Sequence, residues 1–154
     1  MDICLGCIKE EQVIRLLKEH HADMLSLSPP ESVHALNLDA LNKPNITFLS
    51  AWSNNQLAGI AAIKELGSNH AEIKSMRTAK THLRKGVAQL LLEYIVNLAK
   101  ERGYQQISLE TGTMEAFLPA QKLYLKFGFK ACQPFGSYIK DPHSMYMSKT
   151  LLLT

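Results

Sequence analysis

The sequence predicts a mixed α/β fold: a mixed, mostly antiparallel central sheet of about seven strands, flanked by helices on both faces. Three observations predict it. The periodic segments follow the order β-α-(α)-β-β-β-α-β-α-β-β, and a sheet covered on both faces is the natural packing for that set. Strand-like runs between residues 46 and 78 are separated by the turn signals Asn54-Asn55 and Gly67-Ser68-Asn69, which gives an antiparallel meander. The last of these runs breaks into a long amphipathic helix through a basic turn, Arg84-Lys85-Gly86.

Taken in order, residues 2–9 read as a strand, with Ile3, Leu5 and Cys7 alternating. A helix is expected from about 10 to 26, with Val13, Leu16, Leu17, His20 and Met24 on one face and Ser28-Pro29-Pro30 as its stop. A short helical or irregular segment runs from Ser32 to Leu41. The hairpin follows, Ile46 to Ser53 and Gln56 to Glu65, and then the strand Ala71 to Thr78. In the next helix Val87, Leu90, Leu91, Tyr94, Ile95 and Leu98 recur at helical spacing, and Gly103 caps it. Gln106 to Thr111 is a strand and Met114 to Phe127 a helix ended by Gly128. Phe129 to Phe135 and Ser144 to Leu152 are the final strands.

The bulk properties bound the answer. With 154 residues, the chain suffices for one domain, 1–154, and is short for two. A 46% hydrophobic and 20% charged composition fits a globular protein. No apolar run reaches the ~18 residues of a membrane span, and no secretory signal is visible, so the expectation is cytoplasmic with no membrane partner. The charge of +3 is mild and scattered, so no nucleic-acid face is expected; a few cations around one anionic ligand fit better. Cys4 and Cys7 form a C-x-x-C without the second pair a zinc site needs, and three residues apart on a strand they face opposite ways; they are expected as structural or incidental thiols. His20, His21, His70 and His143 lack ligand spacing, so no metal is expected.

The basic turn carries the chemistry. A helix N-terminus has unpaired N–H groups and a partial positive charge, which suits phosphate. The dinucleotide fingerprint and the Walker loop both fail for want of glycines. What remains is Leu83-Arg84-Lys85-Gly86-Val87-Ala88: Gly86 permits close backbone approach and Ala88 leaves room. Downstream stands Ala120-Gln-Lys-Leu-Tyr124-Leu-Lys-Phe-Gly128-Phe129.

The first segment resembles the acetyl-CoA signature of the GNAT superfamily of N-acetyltransferases (Gln or Arg, two residues, Gly, one residue, then Gly or Ala). The second resembles that superfamily's A-x-x-L-Y-x-x-x-G-F. The likeness extends over residues 2–152 and is to small bacterial GNAT proteins of unassigned substrate. It implies a GNAT-like fold, acetyl-CoA as cosubstrate, and direct acetyl transfer to a primary amine of a small molecule or protein. Backbone groups of Met76, Arg77 and Thr78 would pair with the pantetheine arm, and the turn Arg84, Lys85, Gly86, Val87, Ala88 and Gln89 would receive the pyrophosphate. Tyr124 matches the tyrosine that protonates the departing thiolate. His34 falls where the acceptor site lies. Two positions depart from the pattern: Leu83 replaces Gln or Arg, and Phe117 stands where an Asn is common. The alternative from another class is a non-catalytic acyl-CoA-binding sensor or interaction module. A terminal strand offers contacts for a homodimer.

Magnitudes favour a base over an acid. A lysine-like amine, with pKa near 10.4, is neutral in about one molecule in 2,500 at pH 7, a cost of roughly 4–5 kcal/mol. A thiolate leaving group, at about 8.5, asks much less. Glu72, on the strand entering the turn, stands fourteen residues before Gly86, a spacing that resembles that of the general-base glutamate of the family's histone acetyltransferases, and is the candidate general base; Glu110, on the neighbouring strand, is the runner-up.

Overall fold

The computed structural model describes residues 1–33 and 38–151. Seven strands form one sheet in the order β1-β2-β3-β4-β5-β7-β6. They are β1 (Asp2–Leu5), β2 (Ile46–Ser53), β3 (Gln56–Gly67), β4 (His70–Thr78), β5 (Gln106–Gly112), β6 (Lys130–Ala131) and β7 (Ser144–Thr150). Every pairing is antiparallel except β4 with β5. The helices are α1 (Glu11–Leu27), α2 (Leu38–Leu41), α3 (Val87–Glu101) and α4 (Leu118–Lys126).

Strand alternation sorts the core into two layers. On β2, Leu49 and Ala51 face α3 while Phe48 faces α1; on β3, Ala61 and Ile63 face α3 while Ile60 and Ala62 face α1. On α3 the buried residues Val87, Leu91, Leu92, Ile95, Val96 and Ala99 recur every three or four positions, so one stripe lies on the sheet. Each fully buried Leu or Ile there contributes about 1.5–3 kcal/mol. Val13, Leu16 and Leu17 do the same for α1 on the opposite face. α3 meets the sheet closely because β3 has Gly59 beneath it. A Cβ there would stand 2.7 Å from Val87 Cγ1 and 3.0 Å from the Arg77 carbonyl oxygen.

Two expected strands are much shorter in fact, and one pairing differs. β1 stops at Leu5 because Gly6 (φ 92°) and Cys7 (φ 66°) turn the chain back. That turn removes the premise of a continuous strand with opposed cysteines: Cys4 and Cys7 are joined by a disulfide, with Cα atoms 6.6 Å apart. Cys132 is the free cysteine among the described residues. The predicted strand Phe129 to Phe135 reduces to Lys130–Ala131, after which residues 132–143 leave the sheet as a loop before β7.

Candidate active site

The parallel pairing of β4 with β5 ends early. The last partners are Ile73 and Leu109; beyond them the two strands part. At the same point β4 carries a bulge against β3. Ile60 opposes Arg77 and Ala62 opposes Lys74, so Ser75 and Met76 share the single partner Ala61. Ser75 has φ of 57°, a left-handed conformation that costs a non-glycine residue about 1 kcal/mol or more. A bulge bends its strand and adds twist. Together these features open the sheet into a cleft of about 260 Å³ between β4 and β5.

The cleft gathers several expected residues. Glu72, Met76 and Arg77 line it from β4, Glu110 from β5 and Tyr124 from α4. Glu72 is 3% exposed. Its carboxylate accepts a hydrogen bond from the Tyr138 hydroxyl and pairs with Lys74 Nζ at 3.3 Å. Lys74 Nζ also donates to the Tyr138 hydroxyl at 2.9 Å. Burial, then the charge of Glu72, push the Tyr138 phenol far above its ordinary value, so it stays protonated. Tyr124 is buried, its ring packing edge-on against Phe129 with centroids 5.9 Å apart. Burial and the neighbouring Glu110 charge push its hydroxyl up to about 12. Burial likewise raises the Glu110 carboxyl, with Ser144 and Lys74 pulling the other way.

The Arg77 side chain is committed elsewhere. It pairs with Glu19, at 3.2 Å, and with Asp23, both on α1. That guanidinium, by its hydrogen bond, holds the Asp23 carboxyl below the usual range. Only the Arg77 backbone is therefore free for a ligand beside β4. Next to it on α1, His20 lines the same cleft with Nδ1 buried and without a hydrogen-bond partner among the described residues. Burial first, then the Arg77 charge, lower its pKa to about 4, so the ring is neutral at pH 7.

The phosphate turn lies outside this cavity, where chain from β4 enters α3. Arg84, Lys85 and Gly86 are exposed, as is Gln89, whose amide reaches Glu93 at 3.3 Å. Gly86, the N-cap of α3, has φ of 78°, a conformation glycine adopts without strain. The Val87 side chain is in the core, so at that position only backbone faces out; Ala88 is half-buried. Leu83 is exposed, and His82 beside it is buried with its ring bonded to Thr81 Oγ1 at 2.8 Å. Arg84 and Lys85 form no ion pair among the described residues. Thr78 closes β4 opposite Gly59. Phe117 lines the cleft, its ring filling the space a Cβ on Gly112 would need. His34 lies outside the described residues.

Sequence reasoning missed Lys74, Tyr138 and the Ser75 bulge. Lys74 had a signal: two residues after Glu72 on a strand, it shares its face. Tyr138 had none, since its loop carries no motif and its contact spans 66 positions. His20 stood on the predicted buried face of α1, but nothing in the sequence places that face against β4.

A family model described as "Acetyltransferase (GNAT) family" matches residues 13–129. The chain is 52% identical over 151 residues to the uncharacterized N-acetyltransferase YsnE of Bacillus subtilis, covering 98% of this chain and 100% of that protein. It is 36% identical over 143 residues to the IAA acetyltransferase of Azospirillum brasilense, covering 92% of each. Among solved structures, an acetyltransferase of GNAT family from Staphylococcus aureus superposes with a TM-score of 0.74 at 18% identity, over 98% of this chain and 99% of that one. An aminoglycoside 6'-N-acetyltransferase complexed with coenzyme A gives 0.70 at 16%, over 100% and 99%. These two share the fold. A parted β4–β5 pair, a basic turn capping α3 and a matching family model lead to one conclusion: the chain belongs to the GNAT acetyltransferase family.

Proposed function

We propose that this acetyltransferase moves the acetyl group of acetyl-CoA directly to a primary amine of a small molecule or protein, with the reacting atoms in the cleft between β4 and β5. The observation that carries the reading is the parted sheet. Past Ile73, β4 has β3 on one side and, among the described residues, no strand on the other, so its backbone can pair with an extended amide-bearing arm. The pantetheine arm is such a group. The fit extends to the phosphates: the turn 84–89 offers unpaired N–H groups at the start of a 15-residue helix, flanked by the exposed cations Arg84 and Lys85. Because Leu83 carries no donor, the backbone and those two cations bear the load.

Acetyl-CoA supplies an activated acyl carbon; this chain's residues supply position and protons. Met76, Arg77 and Thr78 hold the arm through their backbone. A backbone N–H in this bulged stretch polarises the thioester carbonyl. Tyr124 donates a hydrogen bond to the leaving sulfur. Since its hydroxyl sits at about 12 and a thiol at about 8.5, full transfer to sulfur is uphill unless a proton refills the tyrosine at the same time. A carboxylate of the cleft, Glu72 or Glu110, takes the proton of the acceptor ammonium.

The test is release of CoA thiol from acetyl-CoA across a panel of phenethylamine, spermidine, an aminoglycoside and lysyl and alanyl peptides. Amine-dependent release is expected. Acetyl-CoA binding with no turnover on any acceptor would instead identify a binding module.

A further inference from the structure

The two carboxylates of the cleft stand in different surroundings. Glu72 already has its donors, the Lys74 ammonium and the Tyr138 hydroxyl, and Lys74 lies 5.4 Å from the centroid of the Tyr138 ring. Both donors belong to the chain itself, so they tie this carboxylate into the wall of the cleft. Glu110 is the first residue of β5 beyond the last β4 partner, so it sits at the mouth of the opening. Period two places it on the same face as Glu72 and Lys74. It is half-buried and lines the cleft with Tyr124.

We infer that Glu110 is the proton acceptor of the transfer, and that Glu72, held by Lys74 and Tyr138, is a positioning residue that keeps this wall of the cleft in shape. This rests on the acetyl-transfer reading above. The groups that bear on Glu110 are Lys74 and Glu72 from β4, Asp141 and Tyr138 from the loop before β7, Tyr146 from β7 and Tyr124 from α4. Lys74 is the cation among them, and it is shared with Glu72. Burial raises the Glu110 carboxyl toward the working pH, which improves a general base.

The protons balance as follows. The acceptor ammonium gives one proton to the Glu110 carboxylate, which passes it to solvent. The neutral nitrogen forms the C–N bond to the acetyl carbon, and the C–S bond breaks with its electron pair on sulfur. Tyr124 protonates that sulfur. The second proton, shed as the nitrogen becomes an amide, goes to Glu110 and on to the adjacent Tyr124. The products are an acetamide, the free thiol and one proton in solvent.

The experiment is kcat/KM against pH, from 6 to 10, for wild type, Glu110→Gln, Glu110→Asp and Glu72→Gln, using the best acceptor of the panel. Thermal melting and acetyl-CoA binding of each variant are measured alongside. Glu110→Gln is expected to fold, to bind acetyl-CoA like wild type, and to lose on the order of 100-fold in kcat/KM at pH 7. Its deficit should shrink with rising pH, because each unit supplies about tenfold more neutral amine. Glu110→Asp should recover part of the rate. Glu72→Gln should lower the rate by one factor at every pH and lower the melting temperature. A Glu110→Gln profile parallel to wild type, or a pH-dependent deficit at Glu72→Gln in its place, overturns the assignment. Wild type that binds acetyl-CoA yet turns over no amine defeats the transfer reading and this assignment with it, and wild type alone reveals that case.

Discussion

Replacing His20 with leucine should flatten the acid limb of the protein's stability curve. His20 sits on α1 against β4, with Nδ1 buried and without a partner among the described residues, and with the Arg77 guanidinium close by. Asp23 opposes these effects and His21 adds to them, and the folded pKa settles at about 4 against an ordinary 6.5. Below about pH 6.5 the unfolded chain takes up a proton here that the folded chain refuses until about pH 4. Stability therefore falls as pH drops through that window, by about 3 kcal/mol at its lower end. In wild type this loss adds to that of carboxylates such as Asp23, whose folded pKa is depressed by Arg77 and whose stabilisation also disappears in acid. The assay is urea denaturation at pH 7.5, 6, 5 and 4.5. Wild type minus His20→Leu isolates the histidine: the difference should be steady above pH 7 and swing toward the variant by 2–3 kcal/mol, roughly, at pH 4.5. A difference that stays constant across the series would refute the reasoning, since the ring would then titrate alike in both states.

The other predictions concern the cleft and the turn. Tyr124→Phe should cut kcat on the order of 10- to 100-fold, matching about 1.5–3 kcal/mol for a hydrogen bond to a charged group, with the acetyl-CoA dissociation constant little changed; an unchanged rate removes Tyr124 from the chemistry. Gly86→Glu should abolish acetyl-CoA binding in calorimetry, because it sets an anion and a strained φ at the α3 N-terminus, while the circular dichroism of the fold persists. Gly59→Ala should destabilise by about 1–3 kcal/mol in urea, as its Cβ would press on Val87 and the Arg77 carbonyl.

What the sequence disclosed follows from the range of each interaction. The meander, α3 and the turn 83–88 are written in local periodicity and in a motif of adjacent residues, and both survive folding. The place of Tyr124 on a helix was legible for the same reason. The surroundings of Glu72 and Glu110 were not separable, because the difference between them comes from Tyr138, which reaches Glu72 from a loop with no pattern. The Ser75 bulge is a mismatch between two strands, and neither strand alone records it. The Cys4–Cys7 pairing depended on where β1 stops, a boundary set by Gly6 and the positive φ of Cys7. Arg77 shows the converse: its place on β4 was legible, but its partners Glu19 and Asp23 belong to a helix more than fifty residues earlier.

The parting of β4 from β5 also bears on solubility. Unpaired strand backbone is a template on which other chains add, and proteins with such edges tend to aggregate. Here the bare edge is sunk into the molecule, walled by α1, α4 and the side chain of Tyr138. With those walls in place, a second protein's sheet should find the edge hard to reach. Whatever fills it restores the missing half of the hydrogen-bond ladder, so occupancy is repaid as resistance to unfolding: about 2.7 kcal/mol at a hundredfold excess over the dissociation constant. The protein should thus be least robust, and most prone to clump on heating, when its donor supply runs out.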